Sequence, residues 1–383
     1  MNEQISAFLT ERIRANDFPS AVYLVAEKGE IVFHDALGFA VVEPEKIPAG
    51  LDTIYDLASL TKPLVTGLLA AIAIEDGEFQ LSSRIGDLPG PFASTKIADL
   101  TVIDLAAHIS GMAAWKPLYL LIDSPDDVPR AIAELGPNLE PGRMVAYSDL
   151  NFIALGIVLD RLSLNGKFEA KVSLPLELKR TSFNPASYAM EDSFDSCEIA
   201  ASEKGNEYEK QTCIEQGYLK PFENTLSSAD PGQFRNDLIW GEVHDGNAYF
   251  MNGIAGHAGL FSTAEEVFKI ALQFLAGHTK LLKPENCELF RTNFTKGMNE
   301  DRSFAFQLAS TKDSSAGSLM SPKSFGHNGF TGTSLWIDPV ADRIFVLLTN
   351  RTHAHSLPFV NINGVRRRFH DLAIEELEKR AKN

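Results

Sequence analysis

Two β-rich stretches stand at opposite ends of this chain, and they constrain its fold more than any other feature. Near the start, residues 21–39 read AVYLVAEKGEIVFHDALGF, two strand-like runs around Glu27-Lys28-Gly29-Glu30 with Gly29 at the turn. Near the end, residues 334–337 and 343–349 are β-rich runs around Asp338-Pro339-Val340-Ala341-Asp342. Both spacings predict β-hairpins. A helix flanks each hairpin on its outer side. Residues 1–14 place Ile5, Phe8, Leu9 and Ile13 on one side of a helix, and residues 364–382 read as a closing amphipathic helix. Consecutive hairpins imply an antiparallel sheet, and the strand–helix alternation of a doubly wound parallel sheet is missing.

The chain between the hairpins has a different character. Residues 80–200 are richer in helical spacing, loops and Pro, with 102–108 and 151–162 spaced as helices. Residues 202–230 are polar and irregular and read as a long surface insertion. The expected fold class is therefore α/β (α+β), an antiparallel sheet flanked by helices with an inserted, mostly helical domain. Residues 1–80 and 240–383 would build the α/β domain from both chain ends, and 81–239 the helical one. A length of 383 residues suits two or three units, here two interleaved ones. There is no internal repeat or low-complexity tract.

Charge and composition exclude several function classes. Lys and Arg total 35 against 51 for Asp and Glu, a net charge of −16. Binding a phosphate backbone needs clustered Lys and Arg, so no nucleic-acid partner is expected. Hydrophobic residues at 44% are enough for a large core without disulfides or metals. Cys197, Cys213 and Cys287 are widely spaced, without C-x-x-C or His partners, and read as reduced thiols. The longest apolar stretch, 64–74, ends at Glu75-Asp76-Gly77 and is too short for a transmembrane helix. The start lacks a basic region followed by an apolar run. A cytoplasmic location is expected, or a periplasmic one if an upstream segment has been removed.

Three motifs carry chemistry. The first is Ser59-Leu60-Thr61-Lys62, where a loop becomes a strongly apolar helix. Lys62 lies one turn beyond Ser59 on the same face. Pro63 is tolerable only in a first helical turn, so the helix starts close to Ser59. A helix N-terminus favours a developing oxyanion, and a partly buried Lys there should find its charge disfavoured and accept the Ser proton. On these residues alone, Ser59 can equally be an N-cap and Lys62 a surface residue. The second motif is Tyr147-Ser148-Asp149, after the turn Pro141-Gly142 and before a helix. Tyr147 suits a general base, or a proton shuttle if a Lys ammonium stabilises its phenolate, while Ser148 or Asp149 can simply cap the helix. The third is Gly326-His327-Asn328-Gly329-Phe330-Thr331-Gly332, whose three glycines at a strand start suggest close backbone approach. Free N–H groups on an edge strand there suit an acyl oxyanion, and a glycine-rich turn with a surface His is the plain alternative. His244, Asp245 and His257 lack ligand spacing, so no metal or other cofactor is expected. The phosphate-loop, H-E-x-x-H and G-x-S-x-G signatures are absent.

In this order and at these separations, the three motifs resemble the serine β-lactamase and penicillin-binding-protein superfamily, class C-like branch. That branch includes family VIII carboxylesterases and D-alanyl-D-alanine carboxypeptidases. Residues 101–112, 241–245 and 252–263 agree with it, and the likeness runs from about residue 5 to 380, with 204–235 poorly matched. The resemblance implies Ser59 as the acylated nucleophile, Lys62 and Tyr147 sharing the proton work, and an oxyanion hole from the Ser59 and Phe330 N–H groups. Gly329 and Phe330 belong to the third motif, and Asp149 and His327 would meet substrate. His327 stands where many relatives have Lys and would be charged only part of the time near neutral pH. Asp149 stands where many have Asn, and a carboxylate cannot donate as an amide does.

The leading expectation is a serine hydrolase acting on small acyl esters. The nearest rival is a β-lactamase or D-alanyl-D-alanine carboxypeptidase. A non-catalytic binding or scaffold descendant of the fold is the rival of another class. The expected partner is a small-molecule acyl substrate, and the 204–235 insertion would either wall the pocket or serve an oligomer contact.

Overall fold

The computed structural model describes residues 1–160, 163–185, 198–219 and 234–382. Seven strands form the main sheet, in the order β3-β2-β1-β10-β9-β8-β7, every neighbouring pair antiparallel. They are β1 (Ser20–Glu27), β2 (Glu30–Val41), β3 (Ile47–Pro48), β7 (Gln307–Leu308), β8 (Phe325–Asn328), β9 (Ser334–Asp338) and β10 (Arg343–Thr349). A second sheet of three short strands has the order β4 (Tyr55–Asp56), β6 (Leu260–Ser262), β5 (Ser182–Phe183). The helices that matter here are α1 (Glu3–Arg14), α2 (Leu68–Glu75), α3 (Val102–Ala106), α4 (Val128–Leu135), α5 (Asp149–Leu159), α6 (Glu207–Glu215), α7 (Ala264–Ala271) and α8 (Asn363–Lys382).

The sheet closes because β1 pairs with β10, which brings the two chain ends together. Both strands are buried on both faces, so their sequences are continuously apolar. Val22, Leu24 and Ala26 on β1 and Ile344, Val346 and Leu348 on β10 enter the main core with Leu64, Val65, Leu68 and Leu69. The alternate residues Tyr23, Val25, Phe345 and Leu347 enter a second core, covered by Ile5 and Leu9 of α1 and Phe369, Ala373 and Leu377 of α8. The hairpin turn at Lys28-Gly29 has φ of 56° and 78°, the left-handed pair that matches strand twist.

The stretch expected as one helix from Ser59 to Gly77 is built in three pieces. A 3₁₀ turn at Ala58–Leu60 leads into a wide π-helical segment at Lys62–Gly67 and then α2. Pro63 explains the widening, since it lacks an N–H and its ring crowds the carbonyl one turn back. Ala58–Glu75 has the length and mean hydropathy (1.3) of a membrane span, but 83% of it is buried within the protein. Among the described residues it is the one helix with that length and hydropathy.

The middle of the chain, expected to be mostly helical, also supplies β5 to the small sheet. One sequence expectation needs correcting: the polar stretch after residue 202 is not wholly irregular, because it contains α6. Its sequence, EYEKQTCIE, shows no apolar stripe, since its buried positions are Glu209 and Cys213. Glu209 is fixed there by polar contacts, accepting from the Gly246 N–H (2.7 Å) and the Tyr119 hydroxyl (2.8 Å). Residues 220–233 of the expected insertion, together with Cys197, lie outside the described residues. Cys213 and Cys287 are free and buried.

Candidate active site

Short hydrogen bonds shape the chain on either side of Ser59. Ala58 has φ of 47°, a left-handed backbone that costs a non-glycine residue about 1–2 kcal/mol. The buried Asp56 carboxylate holds that turn, accepting from the Ala58 N–H and the His244 N–H at 2.8 Å each. Burial pushes the Asp56 carboxyl up from its ordinary value. Thr61 Oγ1 donates to Ala58 O (2.7 Å) and accepts from the Leu260 N–H (3.1 Å). The turn after β8 is stitched to the same segment: Thr331 Oγ1 donates to Asp56 O (2.8 Å) and Thr333 Oγ1 to Leu57 O (3.0 Å). Gly329 is needed for this approach, since a Cβ there would lie 2.6 Å from Leu57 O. These bonds place Ser59 and Phe330 on the wall of one cavity.

Lys62 is completely buried. Its Nζ donates to Ser59 Oγ (2.9 Å) and to His257 O (3.1 Å), and forms an ion pair with Asp149 Oδ1 at 2.8 Å. Asp149 opens α5, where a helix favours negative charge. Helix α5 reaches the loop carrying His257 because Gly256 has no side chain. A Cβ there would sit 2.1 Å from Phe152 O. Burial alone disfavours the Lys62 ammonium, as the sequence suggested. The adjacent Asp149 carboxylate and Tyr147 outweigh it, so the ammonium is held above its ordinary pKa. This corrects the expectation of a lysine whose charge is disfavoured. Asp149 lines the cavity, as a substrate-facing residue would, and one of its carboxylate oxygens also engages Lys62.

The Lys62 ammonium lies 5.1 Å from the centre of the Tyr147 ring. Desolvation raises the Tyr147 pKa and Lys62 offsets this only in part, so Tyr147 is a neutral phenol. Its ring lies 4.5 Å from that of His108 and 5.9 Å from that of His327, with the Arg302 guanidinium 5.5 Å away. His108 Nδ1 accepts from the Ser148 N–H (3.0 Å). His327 Nδ1 donates to Asn328 O (2.9 Å), and its buried Nε2 has no hydrogen-bond partner among the described residues. Burial first, then the nearby Lys62 and Arg302 charges, lower the pKa of both imidazoles well below the ordinary value. His327 is therefore neutral, not partly charged as its residue type suggested.

The cavity has a volume of about 670 Å³. Ser59, Tyr147, Asp149, His327, Gly329 and Phe330 all line it, with Lys62 buried behind Ser59. The structure thus brings every candidate from the three motifs to one place. Sequence reading missed others. Arg302, Arg351 and Arg366 reach the lining, and each already donates to protein oxygens. Arg302 grips Glu300 (2.8 and 3.0 Å), Arg351 donates to Phe330 O and Val360 O (2.7 Å each), and Arg366 donates to Gly329 O and Thr333 O (2.9 Å each). No local pattern marks these arginines, because their partners are mostly backbone atoms distant in sequence.

Glu209, His244 and Asp245 also line the cavity. His244 Nε2 meets Glu203 Oε2 at 2.7 Å. Burial opposes its charge, but the carboxylates around it raise its pKa overall. Asp245 Oδ1 meets His257 Nε2 at 2.9 Å, which holds the Asp245 carboxyl well below its ordinary range despite burial. Burial and the Asp245 charge push Glu209 up to about 7. Among the described residues, no group of three or more His, Cys, Asp or Glu side chains is placed to hold a metal ion.

A β-lactamase family model matches residues 5–364. A protein of Salmonella agona (strain SL483), named a putative D-alanyl-D-alanine carboxypeptidase, is 29% identical over 381 residues, covering 90% of this chain and 82% of its own. Several solved structures share the fold. An octameric penicillin-binding protein homologue from Pyrococcus abyssi has a TM-score of 0.69 and 16% identity, covering 97% of this chain and 76% of its own. EstCE1, described as a hydrolase with promiscuous acyltransferase activity, has a TM-score of 0.69 and 19% identity, covering 96% of this chain and 97% of its own. A class C β-lactamase from Rhodobacter sphaeroides has a TM-score of 0.69 and 17% identity, covering 98% and 99%. With its antiparallel sheet between helices and a match over nearly its whole length, the chain belongs to the β-lactamase family and is a serine hydrolase.

Proposed function

We propose that Ser59 forms the acyl-enzyme and that the substrates are small, uncharged carboxylic esters. The observation that carries the substrate reading is the state of the cations around the cavity. His327 is neutral, Lys62 is paired with Asp149, and the three arginines are engaged by Glu300 or by backbone oxygens. Each of these cations already holds a protein oxygen, so a substrate carboxylate beside Ser59 would have to compete with those bonds.

The reaction follows the covalent template. Lys62 first gives its proton to Asp149, which lies 2.8 Å away and lines the cavity, and Asp149 passes it to water. Ser59 Oγ then attacks the ester carbonyl as its proton passes to Lys62 Nζ. The carbonyl oxygen takes up negative charge against the Ser59 and Phe330 N–H groups. As the bond to the leaving oxygen breaks, the neutral Tyr147 phenol protonates that oxygen and is reprotonated by Lys62. Water attacks the acyl carbonyl, releases the acid and regenerates Ser59.

The alternative within the family is a D-alanyl-D-alanine carboxypeptidase or β-lactamase, favoured by the name of the Salmonella relative. Turnover of short-chain p-nitrophenyl esters, a D-alanyl-D-alanine peptide and a penicillin separates the readings. Ester turnover should dominate, and Ser59→Ala should lower it by about 10³-fold or more. Unchanged ester turnover in that variant would remove Ser59 from the mechanism. Preferred turnover of the peptide or the lactam would transfer the assignment to the alternative.

A further inference from the structure

The two peptide groups that bear the proposed oxyanion donors are treated alike by the fold. The Ser59 N–H belongs to the peptide whose carbonyl is Ala58 O, and that oxygen accepts from the Thr61 hydroxyl at 2.7 Å. The Phe330 N–H belongs to the peptide whose carbonyl is Gly329 O, and that oxygen accepts from Arg366 Nη2 at 2.9 Å. The first partner is a neutral hydroxyl. The second is a cation.

Arg366 stands in the first turn of α8 and is 5% exposed. Besides Gly329 O, the same Nη2 reaches Thr333 O at 2.9 Å, and Thr333 O also accepts the Gly329 N–H at 2.7 Å. Nη1 donates to Asn363 Oδ1 at 2.9 Å, a neutral oxygen. Among the described residues Arg366 has no carboxylate partner. Burial pushes the guanidinium down from its ordinary value but leaves it a cation at neutral pH. Its bonds to the lining are thus spent on backbone carbonyls of the turn that carries Phe330.

A charged donor on a carbonyl draws electron density through the amide and makes the same peptide's N–H a stronger donor. In a site shielded from water, that gain counts for more than it would in bulk solvent. We propose that Arg366 is a positioning residue for the oxyanion hole: it pins the Gly329–Thr333 turn and polarises the Gly329–Phe330 peptide, so that the Phe330 N–H binds the acyl oxygen more strongly. The inference rests on the acyl-enzyme reading given above.

The test uses the full-length protein and an ester labelled with ¹³C at its acyl carbonyl. Infrared difference spectra of the acyl-enzyme report how strongly that carbonyl is polarised. In Arg366→Met the band should move to higher wavenumber than in the parent, and kcat should fall by about tenfold or more with KM little changed. If Arg366→Met does not fold, Arg366→Gln takes its place, a shorter side chain that removes the charge and keeps a polar donor in the buried site. An unshifted band in a folded, acylated variant would overturn the proposal. So would a rise in KM at constant kcat, which would make Arg366 a reader of substrate charge. Absence of any acyl-enzyme in the parent would overturn the Ser59 reading itself, and it shows before any variant is compared.

Discussion

Two regions of the cavity lining impose opposite rules on the groups they hold. Around Tyr147, the charges of Lys62 and Arg302 act with burial, and both His108 and His327 are driven neutral. Around His244 the neighbours are Glu203, Glu209 and Asp56, and the same residue type is pushed towards its charged form although it is equally buried. The carboxyls differ in the same way. Asp245 is held ionised by His257, while Glu209, beside Asp245, is driven towards its protonated form. Burial is common to all five groups, so the neighbouring charge decides the outcome.

The largest expected effect comes from removing the central cation of the first region. Lys62→Met should lower kcat/KM for esters by about 10³-fold or more, because Ser59 loses its proton acceptor. Lys62→Met leaves the Asp149 oxygen that Lys62 held without its partner, so the fold of the variant is checked alongside its activity. Steady-state kinetics beside a thermal melt checks this, and near-parent activity would show that the charges of this region are not used in the chemistry.

Asp149→Asn sharpens the comparison by leaving Lys62 in place and taking away the charge that holds its proton. In the parent, Lys62 must lose a proton held above its ordinary pKa, so kcat/KM should rise with pH on the alkaline side of neutrality. In the variant burial dominates and disfavours the ammonium, so the rise should move to lower pH by about one unit or more. A pH–rate profile with no displacement would break the link between Asp149 and Lys62.

The smallest effect belongs to the second region. The folded protein raises Glu209 from 4.5 to about 7, so between those values it binds more protons than the unfolded chain. Its stability contribution is therefore full below the unfolded value and declines as pH rises through the folded one. His244, also raised, declines in the same sense as pH passes upward from its ordinary value. Glu209→Gln removes one of these slopes, so the variant should gain on the parent by about 1–3 kcal/mol between pH 5 and pH 8. Urea unfolding at the two pH values measures the difference, and a constant offset would refute it.

Much of this architecture was legible in the residues. The hairpins at 21–39 and 334–349 and the terminal helices were readable because local periodicity and turn chemistry specify them. The three motifs were readable because each is a short run of residues. Helix α6 was hidden because it buries Glu209 and Cys213 in place of an apolar stripe. Arg366 was hidden because Gly329 and Thr333, 37 and 33 residues away, become its partners only after folding.

The outer hairpins and helices, the order of Ser59, Lys62, Tyr147 and His327, and the resemblance to a serine-hydrolase superfamily are all carried by the residues. The charge states of Lys62, Tyr147 and His327 come from the folded packing. Pairing β1 with β10 and packing α5 through Gly256 place a carboxylate 2.8 Å from Lys62, and the same packing surrounds His327 with positive charge. Coulomb energies depend on distances through space and on burial, neither of which sequence separation records.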